Sequence, residues 1–152
     1  MGKIKESFYR QAIDEYAKRL GKYCKLEIIE VADEKTPDKA SEIMENQIKE
    51  KEAERLIDKL KDDSYIFTLE IKGKKYTSEA FAETIEKLTV QGKSHLTFVI
   101  GGSLGLHEKI LKFSNQPISF SDMTFPHQLM RVILTEQIYR AFRIMSNEPY
   151  HK

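Results

Sequence analysis

An α/β fold, a mostly parallel sheet flanked by helices, is what this sequence of 152 residues predicts. Three observations lead there. Short runs rich in β-branched residues alternate with segments of helical periodicity, the pattern of βαβ units. The strand runs are apolar almost throughout, most clearly "HLTFVIGG" (His95 to Gly102), as in sheets covered on both faces. Glycines and turn residues gather where those runs end, and open α/β sheets hold their ligands at the carboxyl ends of strands.

The elements follow in order. Phe8, Ala12, Ile13, Tyr16, Ala17 and Leu20 recur at helical spacing, with Ser7 as N-cap and Gly21 as the stop. "KLEIIEV" (Lys25 to Val31) alternates and reads as a strand. After the loop "DEKTPDKA" a charged helix runs from about Lys39 to Leu60, its stripe made by Ile43, Met44, Ile48, Leu56, Ile57 and Leu60. Its Glu and Lys residues form a solvated face. "SYIFTLEI" (Ser64 to Ile71) is the second strand. Thr77 or Ser78 caps a helix carrying Phe81, Ile85 and Leu88, which Gly92 ends. His95 to Gly102 is the third strand, followed by a short helix near His107 to Phe113 and a fourth strand, "PISFS" (Pro117 to Ser121). The last helix runs from Pro126 to about Met145. The first helix starts with only "MGKIKE" before it, whereas α/β units ordinarily feed each helix from a strand.

Length and composition fit one globular domain, residues 1–152: 32% of residues are charged and 40% hydrophobic. A net charge of +1 gives no general pull toward nucleic acid, though it permits a local basic patch. Cys24 is the single cysteine, which excludes an intramolecular disulfide and suits a reducing cytoplasm; it reads as a half-buried structural thiol. No apolar run approaches the ~18 residues of a membrane span, and no signal-peptide pattern or metal-ligand spacing is present.

The chemistry gathers in three places. "FVIGGSLGLH" (Phe98 to His107) is an apolar strand running into Gly101, Gly102 and Gly105 and then a helix. Glycines there allow positive φ and close approach of a ligand to the backbone, so the stretch reads as a ligand-binding loop; a tight turn accounts for one glycine readily and for three less easily. The stretch is neither a P-loop nor G-x-G-x-x-G, but Asp122 lies about 20 residues on, where dinucleotide folds keep a ribose-binding acid, so a nucleotide or NAD site is an alternative. "SDMTF" (Ser121 to Phe125) ends the next strand, and "TLEIKG" (Thr68 to Gly73) ends another. Met123 and Phe125 suit a flat heteroaromatic ring, or else belong to the core.

In the last helix Met130, Leu134, Ile138, Ala141, Phe142 and Met145 form a core or dimer stripe, with Leu129, Val132 and Ile133 on another flank. Arg131, Glu136, Arg140 and Arg143 are either a salt-bridged surface or phosphate ligands. The terminal "NEPYHK" brings a ring, an imidazole and an ammonium (Tyr150, His151, Lys152), which can hold a base and its phosphate; a frayed terminus is the alternative.

"FVIGGSLGLH", "SFSDMTFPHQLMRVILTEQIYRAFRI" and "PYHK" closely resemble the ribosomal RNA large subunit methyltransferase H family, the smallest members of the SPOUT superfamily. The similarity runs along the whole chain, including "YRQAIDEYAKRL" and "TLEIKGK". The resemblance implies a SPOUT-type α/β fold with a deep C-terminal trefoil knot, a rare exception to unknotted topology. It implies S-adenosylmethionine as cofactor, held by Leu69, Gly101 and the run Phe120, Ser121, Asp122, Met123, Thr124, Phe125; Gly102, beside Gly101 in the glycine loop, is expected to let the cofactor lie against the backbone. It implies a homodimer that methylates N3 of pseudouridine 1915 in helix 69 of 23S ribosomal RNA, within the assembled ribosome. A non-enzymatic ribosome-binding module is the alternative from another class. For catalysis the expected residues are His151 as base, Tyr150 to stack on or orient the target base, and Arg140 with Lys152 on phosphates. His127 is the competing base, disfavoured as a cation at a helix N-terminus. Family members begin with a strand resembling "MKI.LLAVGK", of which Gly2 and Lys3 match the end; an inner strand is therefore expected to be missing, leaving backbone groups unpaired.

Overall fold

A computed structural model of the chain describes residues 1–151; Lys152 lies outside the described residues. The elements in order are α1 (Ser7–Leu20), α2 (Glu42–Ile57), β1 (Tyr65–Lys75), α3 (Ser78–Val90), β2 (Leu96–Val99), α4 (Glu108–Leu111), β3 (Gln116–Ser119) and α5 (His127–Met145). The sheet has the order β2-β1-β3 and both pairings are parallel. The α/β class and the flanking helices are as expected.

β1 organises the molecule because its side chains alternate between two cores. Fully buried Phe67 points to one side and stacks on Phe98 at 4.7 Å, with Phe81, Ile85, Leu134 and Ile138 from α3 and α5 around it. Ile66 points to the other side and packs with Val99, Ile110 and Ala53 beneath α2 and α4. A side chain the size of Phe67 contributes roughly 1.5–3 kcal/mol by burial. α3 is capped by Thr77, whose Oγ1 accepts from the Ala80 amide at 3.2 Å, and α2 by Ser41, which accepts from Met44 at 3.3 Å.

Four expectations need correction. Lys25 to Val31 forms no strand and joins no ladder among the described residues; β-branched composition favours a strand only where a partner supplies the hydrogen bonds. The sheet thus has three strands, not four. β1 runs to Lys75 rather than Ile71, because after a register shift at Leu69/Lys74 the residues Lys74 and Lys75 pair with Ile118 and Ser119. The α2 stripe is narrower than its sequence suggests: Ile43 is 74% exposed while Ile48 is buried. In α1 the N-cap is Glu6, without a side-chain cap bond, and Phe8 is exposed.

Between Lys25–Val31 and the free edge of β2 runs a groove of about 710 Å³, walled also by α5 and the end of α2. Met1 and Gly2 close one end. The Met1 amine donates to the Ile100 carbonyl at 2.9 Å, and the Gly2 amide donates to Val31 O at 2.8 Å. Burial, with Arg131 next in order, lowers the Met1 ammonium pKa to about 6. Arg131, itself buried, donates to Glu30 at 2.8 Å and to the carbonyls of Met1 and Gly2.

Candidate functional site

A cavity of about 300 Å³ opens beside the carboxyl ends of β1 and β3. Phe81, Ile118, Phe120, Phe125 and Ile133 make its apolar walls; Tyr76, Thr77, Ser78, Ser119 and Gln137 bring polar atoms. Two helices meet across it through a hydrogen bond from Ser78 Oγ to Gln137 Oε1 at 2.8 Å. Gln137 Nε2 then donates to Glu136 Oε2 at 2.7 Å.

The loop after β3 folds over this cavity for local reasons. Ser119 Oγ donates to the Ser121 carbonyl at 3.1 Å, and Ser121 Oγ accepts from the Met123 amide at 2.9 Å, the side-chain turn that serine favours. Phe120 and Phe125, at the two ends of the loop, point into the cavity. Ser121, Asp122, Met123 and Thr124 span the loop between them, and Met123 is 73% exposed at its tip. Asp122 pairs with Lys75, which engages the carboxylate that a dinucleotide site needs. Leu69 is aligned with Ile118 in the ladder, directly behind the cavity wall.

Gly101 and Gly102 fall outside this cavity. A Cβ on Gly101 would lie 2.8 Å from the carbonyl carbon of Gly105, and Gly102 bridges to Gly105, whose φ is +81°. The loop's own closure therefore demands small residues. Gly102 faces Glu52 and Met1 instead. Gly73 is tighter still: a Cβ there would come within 2.5 Å of the Ile118 backbone, so this glycine lets β1 and β3 meet at the cavity wall. Ile133, Gln137 and Ser78 were missed as site residues. Their signal was faint, an i,i+4 pair on α5 and a polar residue in the first turn of α3.

The structure brings Tyr150, His151 and Arg140 together. The Tyr150 ring meets Tyr139 edge-on at 4.9 Å, and the Arg140 guanidinium lies 4.7 Å above it. Tyr150 OH donates to Glu136 Oε1 at 3.1 Å, and Arg140 Nη2 donates to the same oxygen at 2.5 Å. Arg140 Nη1 is 3.2 Å from His151 Nδ1, and His151 Nε2 is 2.7 Å from Glu79 Oε1. Guanidinium has no acceptor, so Nδ1 accepts and Nε2 carries the proton given toward Glu79. The tail is thus docked rather than frayed. It touches α3 one residue beyond Ser78 and α5 one residue before Gln137, two residues of the cavity wall. Burial and neighbouring Tyr16 and Glu136 push the Tyr150 phenol up to about 12, so it acts as a hydrogen-bond donor.

The other basic residues of α5 are engaged internally: Arg131 with Glu30, and Arg143 with Glu148. His127 packs beside Gly2 and has its pKa lowered, chiefly by burial and then by Arg131, as fits a structural histidine. Among the described residues no group of three His, Cys, Asp or Glu side chains is placed to hold a metal ion, and no helix is long and apolar enough to cross a membrane.

The comparisons with known proteins place this α/β chain in a family. The family described as "Predicted SPOUT methyltransferase" matches residues 1–151, and the chain belongs to that family. A "Ribosomal RNA large subunit methyltransferase H 1" from Clostridium perfringens (strain SM101 / Type A) is 59% identical over all 152 residues of this chain and 96% of its own length. A "Ribosomal RNA large subunit methyltransferase H" from Clostridium botulinum (strain Kyoto / Type A2) is 60% identical with the same coverage.

Proposed function

We propose that this chain, acting as a single domain within a homodimer, is an S-adenosylmethionine-dependent methyltransferase of large-subunit ribosomal RNA. Its target in this reading is N3 of pseudouridine 1915 in helix 69 of the assembled ribosome, and the knotted threading of the C-terminal half belongs to the same reading. The observation that carries it is the placing of Phe120 and Phe125 inside a strand-end cavity whose helical walls also dock Tyr150, His151 and Arg140.

The residues fit the cofactor. The apolar slot between Phe120, Phe125, Phe81 and Ile118 suits the faces of an adenine ring. Ser78, Ser119 and Gln137 supply polar atoms that orient it, with Leu69 behind the wall and the Gly101–Gly102 turn at the neighbouring strand end. The cofactor supplies an electrophilic methyl group.

The chain's own residues must align the target and receive its N3 proton. Orientation alone contributes up to roughly 7–11 kcal/mol in the best cases. Tyr150 stacks on or orients the base, and Arg140 and Lys152 meet phosphate. His151 is the base, since a neutral imidazole has one ring nitrogen free to accept a proton. As docked, its Nδ1 lone pair accepts from Arg140. Arg140 must therefore turn to the RNA before Nδ1 is free, which couples substrate arrival to the unmasking of the base.

The test is transfer of a labelled methyl group to 70S ribosomes that lack the modification, followed by mapping of the labelled nucleotide. Label at N3 of that pseudouridine supports the reading. Label elsewhere moves the target, and no transfer alongside calorimetric binding of NAD or ATP replaces the reading.

A further inference from the structure

The carboxyl end of β1 carries Lys72, Lys74 and Lys75 within four residues, all of them exposed. Leu69 and Lys74 both align with Ile118 of β3, so Glu70 to Gly73 stand outside that ladder and bulge from the strand. The ladder then resumes with Lys74 opposite Ile118 and Lys75 opposite Ser119, two residues of the cavity wall. Gly73 holds the returning backbone against Ile118, where a Cβ would come within 2.5 Å. The lysines are thereby set beside the cavity by the sheet itself.

Positive charge elsewhere near the cavity is cancelled internally. Arg131, Arg140 and Arg143 of α5 are paired with Glu30, Glu136 and Glu148. At the bulge, Asp122 is taken by Lys75, and Glu70 accepts from the Thr68 hydroxyl at 2.6 Å. Among the described residues no carboxylate pairs with Lys72 or Lys74. Lys74 Nζ lies 4.7 Å from the centre of the Tyr76 ring, and Tyr76 belongs to the cavity wall. Uncancelled ammonium groups next to an aromatic face are the combination with which proteins track a nucleic-acid strand.

We propose that Lys72 and Lys74 are ligands for RNA phosphates, gripping the backbone beside the nucleotide that undergoes reaction, while Lys75 ties the bulge to the loop after β3. The inference rests on the proposed methyl transfer to ribosomal RNA and adds to it a second anchoring point, on β1 rather than on the tail. Phosphate contacts set register and orientation and carry no sequence information. The two lysines are therefore positioning residues, which act on binding and leave the reacting atoms to others.

The test uses the full chain and 70S ribosomes that lack the modification, with binding measured over a range of salt concentrations. Each phosphate contact contributes about 0.7–0.9 to the slope of log affinity against log salt. Lys72→Gln with Lys74→Gln should flatten that slope by about 1.4–1.8 and weaken binding at least tenfold at about 50 mM salt, with the gap closing as salt rises. At saturating ribosomes the variant should transfer methyl at close to the parental rate, and its melting temperature and S-adenosylmethionine affinity should match the parent. Lys49→Gln with Lys51→Gln removes the same charge from α2, which packs on the other face of the sheet, and should leave the slope unchanged. A parental slope in the β1 variant, or an equal loss in the α2 variant, overturns the proposal. Weakened S-adenosylmethionine binding with a parental ribosome slope assigns the lysines to the cofactor's carboxylate and also overturns it. A parent chain that neither binds nor methylates the ribosomes overturns the proposed function itself, and this inference with it.

Discussion

Gly73→Ala tests how closely the cavity depends on the meeting of β1 and β3. The new Cβ would stand 2.5 Å from the Ile118 carbonyl carbon and 2.7 Å from its nitrogen and oxygen. Ordinary carbon contacts begin near ~3.5 Å, so the strands must part by nearly an ångström. The obstruction is backbone, which has no rotamer to change. Overpacking of this kind costs about 1–3 kcal/mol, which lowers the melting temperature of a domain this size by about 2–12 °C. Ile118 is buried and forms part of the cavity wall, so the displacement reaches the proposed cofactor slot. Misplacements of ~1 Å reduce rates by up to ~100-fold; a tenfold or greater loss of S-adenosylmethionine affinity is expected by calorimetry. Gly92→Ala is the control. Nothing lies within 4 Å of its Cβ, and only the positive φ of +81° opposes it, so it should lose a little stability and no affinity. If Gly73→Ala melts and binds like the parent, the close approach of the strands does not shape the site.

Deleting Tyr150 to Lys152 should abolish methylation of 70S ribosomes and leave S-adenosylmethionine affinity within a few-fold of the parent; full single-turnover transfer by the deletion would remove the tail from the reaction. His151→Ala should slow transfer more than it weakens ribosome binding, and transfer at the parental rate would place the base elsewhere. Glu79 is held at a pKa of about 2, first by a backbone amide and then by His151 and Thr77. Its contacts are therefore complete above the ordinary value of 4.5 and are lost as pH falls toward 2. Carboxyl carbon shifts should trace that window, and a midpoint unmoved by His151→Ala would show the pair to be idle. Arg131→Met removes the donor to Glu30 and to two buried backbone carbonyls; Glu30 is exposed and keeps its water, so the loss comes mainly from the carbonyls, about 1–3 kcal/mol in urea unfolding. The homodimer predicts a sedimentation mass of two chains at micromolar concentration, and a single-chain mass would contradict it.

Much of this was legible in the residues. The Thr77–Ser78 pair announced the start of α3, Pro126 the start of α5, and the apolar run His95 to Gly102 the strand β2, which is shorter at both ends, because each depends on local chemistry. What failed depends on partners distant in sequence. Lys25 to Val31 has the composition of a strand, yet a strand exists only in a ladder, and the neighbour it needs is absent among the described residues. The extension of β1 to Lys75 rests on a register shift that lets Gly73 lie against Ile118, which no periodicity shows. In the site, the crossing loop was readable from Phe120 and Phe125. Ile133 reads from the sequence only as an apolar residue on a second flank of α5, and its place in the cavity lining depends on packing against β3 and α3. The glycines of the third strand end looked like a ligand cradle, whereas Gly101 and Gly105 first satisfy each other. The His151 contact with Glu79 spans 72 residues and has no signature in sequence.

The position of β1 at the middle of the sheet also sets the order in which the chain acquires its shape during synthesis. β1 is complete at residue 75, but its partners lie later in the chain, at 96–99 and 116–119. The helix that covers its Phe67 face ends at 145. At about 5–20 residues per second, the 70 residues from Lys75 to Met145 keep β1 waiting for roughly 4–14 s. Through that interval "YIFTLEI" is an uncovered apolar segment of high β-propensity. The nascent chain is then most vulnerable to misassociation and most in need of a chaperone, and the hazard ends only when α5 arrives.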